Sequence, residues 1–203
     1  MGTRNLTIVY VDGEYKVAQY CQWDGYPEGQ GAKCLDFLRN KMNEEKFRKE
    51  LHEVVFAKEN LYMKIFKMFG GDEEGFISCS DHDRLKAVFP ELHRDTGAKI
   101  LEMIQNGEVQ ILQNAIDFAA DGVSCEYAWV IDLDKRTFEA YQGFSHEPTK
   151  ETDRFYFLRE FEDTKDYGDG MYTCVKKTAE WSIDNLPTKE EFLKAFEQDC
   201  EQE

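Results

Sequence analysis

The sequence predicts an α+β domain. A mainly antiparallel sheet, made of an N-terminal hairpin plus about four later strands, packs with a central helical region and a C-terminal helix. Three observations carry this reading. β-Branched, strand-like segments open the chain and return after Asp121-Gly122. Between them, apolar residues recur three and four apart, the period of an amphipathic helix. Strands and helices are therefore segregated rather than alternating, which argues for α+β. The boundaries read as hairpin 5–22, helical region 30–120, sheet region 123–183 and C-terminal helix 188–199, within one domain of 203 residues.

Each element has a local reason. Asn5 to Val11 is apolar and β-branched, and Asp12-Gly13 favours the positive φ angles of a two-residue hairpin turn. Glu14 to Gln22 returns, with Tyr15, Val17 and Gln19 expected on one face. Residues 23–31 are rich in Gly and Pro and read as a loop. Leu35, Phe37, Leu38 and Met42, then Phe47, Leu51, Val54 and Val55, then Leu61, Ile65, Phe66 and Phe69 mark three helices. The third stops at Gly70-Gly71, and Gly70 to Gly75 reads as an exposed turn. Ser80 is the expected cap of a helix ending near Pro90, and Asp95 or Thr96 of the next. Glu108 to Ala120 favours a helix. Val123–Leu133, Thr137–Phe144, Phe155–Phe161 and Tyr172–Ile183 read as strands. Thr188 with Glu191 three residues on forms a capping box for the closing helix. The hairpin should join the later strands, because an isolated hairpin is marginal in water.

Composition excludes some functions. The net charge is −16, and residues 51–203 carry all of it, with 17 basic and 33 acidic residues. A nucleic-acid footprint needs clustered positive charge, so direct nucleic-acid binding is not expected. No stretch has the roughly 18 to 20 apolar residues of a membrane span. The start, Met1-Gly2-Thr3-Arg4, has no apolar signal region, so the chain reads as cytoplasmic. Six scattered cysteines, none in a C-x-x-C pair, fit free thiols in a reducing compartment and not a zinc site. Asp81-His82-Asp83 reads as a solvated helix start, because adjacent helical residues point apart. No metal and no cofactor is expected, and no catalytic constellation stands out.

The densest polar and aromatic cluster is Gln19, Gln22, Trp23, Asp24, Tyr26 and Gln30. Amides supply donors and acceptors, and Trp and Tyr supply flat walls with polar tips. A pocket at this loop would use Arg4 and the helix start near Gln30 as anion contacts. Glu126 sits in an otherwise apolar strand, where an unpaired buried carboxylate would cost several kcal/mol. It should therefore lie beside Arg4 or Gln22, with a bidentate Arg4–Glu126 pair as the expected contact.

These residues also carry a resemblance. Met1-Gly2-Thr3-Arg4, Lys16-Val17-Ala18-Gln19-Tyr20 and Gln22-Trp23-Asp24-Gly25-Tyr26-Pro27, with Gly29-Gln30-Gly31, look like the opening of an uncharacterised family of small bacterial, phage and fungal proteins. Cys125-Glu126-Tyr127-Ala128, Val130-Ile131-Asp132-Leu133-Asp134 and the closing Gly143-Phe144 resemble its second block. Cys21 stands where the family resemblance would put Gly. The resemblance implies no cofactor and no catalytic residue.

The function expected from the residues is a soluble intracellular binding protein with its pocket at the QWDGYPEGQG loop. Its partner would be a small polar ligand or a basic protein. The phage resemblance adds one version, sequestration of a ligand or inhibition of a host defence enzyme. Two alternatives stand beside it. The order of elements loosely resembles N-terminal-nucleophile amide hydrolases, although removing Met1 exposes Gly2, which has no nucleophile. The acidic surface would also suit a decoy for a nucleic-acid-binding enzyme.

Overall fold

A computed structural model describes residues 2–72, 77–162 and 168–197. Asn5–Val11 forms β1 and Glu14–Cys21 forms β2. Asp12 and Gly13 between them have φ of 53° and 77°, the mirror-image turn that matches strand twist. Their N–H groups both donate to the Asp134 carboxylate at 2.9 Å. The bond from Gly13 is the main reason that the Asp134 carboxyl is held below its ordinary range.

The hairpin holds one irregularity. Val9 faces Val17, but Tyr10 faces Tyr15, so Lys16 is an extra, bulged residue. Tyr15 and Val17 therefore lie on opposite faces of the sheet, not together as the simple alternation implied. Tyr15 instead packs edge-on against Tyr10, with centroids 4.9 Å apart.

The middle of the chain is helical. It comprises α1 (Ala32–Asp36, flanked by wider π-helical turns), α2 (Glu44–Glu53), the short strand β3 (Val55–Phe56), α3 (Glu59–Met68), α4 (Cys79–Val88), α5 (Lys99–Gln105) and the short strand β4 (Ile111–Leu112). Several expectations need correction. Val55 leaves the helix and pairs in parallel with Ile111. That pairing is also why Glu108 to Ala120 is not a helix; only a 3-10 turn, Ile116–Ala120, follows it. Ser78, not Ser80, caps α4 by accepting from the Asp81 N–H. Neither Asp95 nor Thr96 caps α5; its start at Ala98 donates to the distant Gln30 Oε1 at 2.9 Å. The Gly70 to Gly75 turn lies partly outside the described residues.

After residue 121 come β5 (Tyr127–Asp132), β6 (Thr137–Gln142), β7 (Lys176–Ser182) and α6 (Lys189–Glu197). Phe155–Phe161 is not a strand. Tyr156–Phe161 winds as a 3-10 helix whose buried Leu158 lies three residues after the buried Phe155 that precedes it. The sheet order is β2-β1-β5-β6-β7, with β1 and β5 parallel and the other neighbours antiparallel. The Thr188–Glu191 capping box forms as expected.

Both faces of this sheet are covered. On one, Val9, Val17 and Ile131 meet Leu35, Phe47 and Leu101 from the helices. On the other, Leu6, Ile8, Ala128 and Val130 meet Ala119, Phe155 and Leu158. This explains the near-continuous apolar runs of β1 and β5. Among the described residues, no helix is long and apolar enough to cross a membrane.

Trp129 holds the first core to the N-terminal loop. It is fully buried, stacks on Tyr127 at 5.7 Å and meets Phe192 of α6 at 5.7 Å. Its indole Nε1 donates to the Gly25 carbonyl at 2.9 Å across 104 residues of sequence. Trp129→Phe removes buried volume and leaves that carbonyl without its donor. It should destabilise the protein by about 2–4 kcal/mol, read as a lower urea midpoint. A loss below about 0.5 kcal/mol would show that this bond does not anchor the loop.

Candidate functional site

The loop after β2 is held largely by its own backbone. The Trp23 carbonyl accepts from Asn5 Nδ2 at 3.3 Å and Gln30 Nε2 at 3.4 Å. Gln30 is buried, and its other end caps α5 through the Ala98 N–H. Asp24 adopts φ 58°, tolerable for Asp, and its carbonyl accepts from the Gln30 N–H at 2.7 Å. A Cβ on Gly29 would stand 2.1 Å from that carbonyl oxygen, so only glycine fits there. Gly97 is under double constraint, with φ +50° and a Cβ position 2.6 Å from Gln30. The side chains of Trp23 and Tyr26 are exposed, and Tyr26 OH donates to Asp24 Oδ1 at 3.3 Å.

Gln19 and Gln22 do line a cavity. It is a cleft of about 260 Å³ between the end of β2 and the segment from α4 to Arg94. Tyr20 OH donates to Gln22 Oε1 at 2.5 Å, which points the Gln22 amide and leaves its Nε2 with no bond among the described residues. Facing these are His82 and His93, edge-on with centroids 4.8 Å apart. Asp95 N–H donates to His93 Nδ1 at 3.2 Å, so the neutral ring carries its proton on Nε2. His82 Nδ1 is buried with no hydrogen-bond partner among the described residues. Glu91, Arg94, Tyr62 and Gln113 complete the polar lining, and Phe66 and Leu92 supply apolar wall.

Burial governs the titration here. It pushes both imidazoles below their ordinary range, with Arg94 also opposing a charge on His82. It pushes the Glu91 carboxyl and the Tyr20 and Tyr62 hydroxyls up. A cleft so arranged holds neutral rings and amides that donate and accept, with Glu91 and Arg94 as its charged groups.

The remaining expected residues are placed as follows. β5 does run beside β1, and Glu126 does lie at Arg4. The contact differs from the expected one: Arg4 N–H, not its guanidinium, donates to Glu126 Oε1 at 3.1 Å. The parallel ladder begins at Asn5 and Tyr127, so the Arg4 N–H has no strand partner and the carboxylate takes it. Among the described residues Arg4 and Glu126 form no ion pair, and Arg4 Nε is buried without a partner. Trp23, Asp24, Tyr26 and Gln30 do not line the cleft at Gln22.

Sequence reading missed His82, His93, Glu91 and Arg94 as a group. One signal was present: His82 lies three residues before Leu85, the fully buried residue of α4, and so shares its inward face. The cysteines at 21, 34, 79, 125 and 174 are free thiols; Cys200 lies outside the described residues. Among the described residues, no group of three or more His, Cys, Asp or Glu side chains is placed to hold a metal ion.

No protein-family model, curated protein or solved structure matches the chain.

The lowered imidazoles have a consequence. Both should titrate below the ordinary value of about 6.5, as followed by histidine ring resonances in NMR. The unfolded chain then binds more protons than the folded one below that pH. Stability is present above about pH 6.5 and is lost as pH falls through the lower folded values. His93→Gln should flatten this part of the stability profile. An unchanged slope would mean that His93 is not held neutral by the cleft.

Proposed function

We infer that the protein is a non-catalytic binding protein whose small polar ligand sits in the cleft between Gln19, Gln22, His82 and His93. One observation carries this reading: His82 lines the cleft, and its buried ring nitrogen Nδ1 has no hydrogen-bond partner among the described residues. A buried polar atom left alone costs about 1–3 kcal/mol, and a ligand that bonds it recovers that cost. Gln22 lines the same cleft, and its Nε2 makes no hydrogen bond among the described residues. The lining carries one acid and one base, Glu91 and Arg94, so it suits a ligand that is neutral or zwitterionic and offers both donors and acceptors. The rigid loop of residues 22–31 acts as the frame that fixes Gln22, through Trp23, Gln30 and Ala98. A held ligand without a turnover group is the chemistry of sequestration or sensing.

Native mass spectrometry of freshly purified protein, with calorimetry against nucleosides and amino acids, tests this. A retained small adduct or measurable heat is expected. Gln22→Leu and His82→Phe should each weaken binding at least tenfold, about 1.4 kcal/mol, while the ligand-free melting temperature stays close to that of the parent. A protein that carries no adduct and gives no heat with either set ends the reading.

A further inference from the structure

A second cavity, of about 380 Å³, opens at the opposite end of the hairpin, near the Asp12-Gly13 turn. Tyr10 and Asp132, paired at the carboxyl ends of the parallel strands β1 and β5, both line it.

The floor is charged and buried. The side chains of Asp132, Glu139 and Arg154 are 0%, 2% and 9% exposed. Arg154 Nη2 donates to Asp132 Oδ2 at 2.5 Å and to Glu139 Oε1 at 2.7 Å, and Nε donates to Glu139 Oε2 at 2.9 Å. Thr137 and Tyr141 hydroxyls complete Glu139, and the N–H groups of Asp134 and Lys135 complete Asp132. Apolar residues of the same volume would stabilise a sheet face as well or better, so stability alone does not account for the cluster. What the cluster does supply is a fixed guanidinium. Among the described residues its Nη1 is bonded to neither carboxylate; the guanidinium stands 5.5 Å from the Tyr10 ring centroid, beside the Tyr15 hydroxyl, and lines the cavity.

The wall is aromatic. Tyr15 packs against Phe157 at 5.8 Å, and Phe157 is 48% exposed. The rim is basic, with Lys135, Lys176 and Lys177 against Asp153. Lys176 is engaged by Asp153 at 3.0 Å and Lys177 by Glu180 at 2.6 Å, whereas the Lys135 ammonium has no ion pair among the described residues. Four basic and three acidic side chains line this cavity, on a chain whose net charge is −16. With Glu180 on Lys177 the charges balance, so the cavity is locally neutral on a strongly acidic chain and Lys135 is its unpaired cation among the described residues.

We propose that this cavity binds a small organic anion carrying a planar ring, the chemistry shared by nucleoside monophosphates and aromatic carboxylates. Lys135 and Arg154 Nη1 take the anionic group, and the ring lies against Tyr15 and Phe157. The proposal does not depend on the cleft at Gln22.

Arg154→Met is the wrong test, because it strands two buried carboxylates and should unfold the protein. Lys135→Glu and Phe157→Ala change exposed side chains instead. The measurement is calorimetry with adenosine 5′-monophosphate, 4-hydroxybenzoate and inorganic phosphate. One of the two ring-bearing anions should bind with a Kd of about 1 mM or tighter, and which one does so identifies the source. Inorganic phosphate should bind at least tenfold more weakly than that anion. Lys135→Glu should weaken binding at least tenfold and Phe157→Ala severalfold. Raising salt from about 0.1 M to about 1 M, which shortens the Debye length from ~10 Å to ~3 Å, should weaken it as well. Gln22→Leu should leave it unchanged, which separates failure here from failure of the cleft reading. The proposal is overturned if neither ring-bearing anion binds at about 1 mM, if phosphate binds as tightly, or if Lys135→Glu binds undiminished.

Discussion

The parallel pairing of β1 with β5 is the constraint from which the rest follows. It joins residues more than 120 positions apart, so the whole helical region must fold as a crossover between them. It also puts both strands at the centre of the sheet, buried on both faces. A strand buried on both faces has no polar side to spend, which is why Leu6, Ile8 and Val9 are all fully buried. The pairing then fixes where Trp129 stands, and through its indole N–H where the Gly25 loop must lie.

That loop shows how one polar side chain can organise two elements. Gln30 bonds the Trp23 carbonyl with its amide nitrogen and caps α5 with its amide oxygen. An asparagine would be one methylene short, and an apolar residue would orphan both groups. The neighbouring glycines follow from the same crowding: Gly29 against the Asp24 carbonyl and Gly97 against Gln30 itself. The glycine-rich composition of residues 25–31 thus has a packing cause before any ligand is considered. Of the polar and aromatic residues expected at this loop, Gln19 and Gln22, at the strand exit, line the cleft.

What was legible in the sequence was what local chemistry decides. Asp12-Gly13 demanded its turn, and Thr188 with Glu191 demanded a helix start. The association of the hairpin with the later strands was legible too, because a bare hairpin is not stable, and Glu126 pointed to its neighbour. The Lys16 bulge, the register and the parallel sense of β5 were not legible, since they depend on partners far along the chain. Phe155–Phe161 misled because alternation and a three-residue period differ little over so short a run. Asp132 and Glu139 are, like Glu126, acids among apolar residues, but they lie in the ladder itself and are deeply buried. Their partner Arg154 comes from a segment with no strand or helix signal, so the network becomes visible only in three dimensions.

The two polar clusters lie at opposite ends of the hairpin, and desolvation explains why. The middle of β1 and β5 has apolar layers on both sides, and a charge there would need every bond supplied by protein. At the turn end, the backbone N–H groups of the β5–β6 connection and the Arg154 guanidinium supply those bonds for Asp132. At the far end, the ladder stops after Asn5, and the Arg4 N–H is left for Glu126. Neighbouring Gln19, Gln22 and Tyr20 face a cleft instead of another strand. Polar side chains collect where the sheet runs out of strand partners, and those same places are where space for a ligand remains. The frame that buries its centre on both faces therefore concentrates its recognition chemistry at its two ends, with β2 contributing Tyr15 to one and Gln19 to the other.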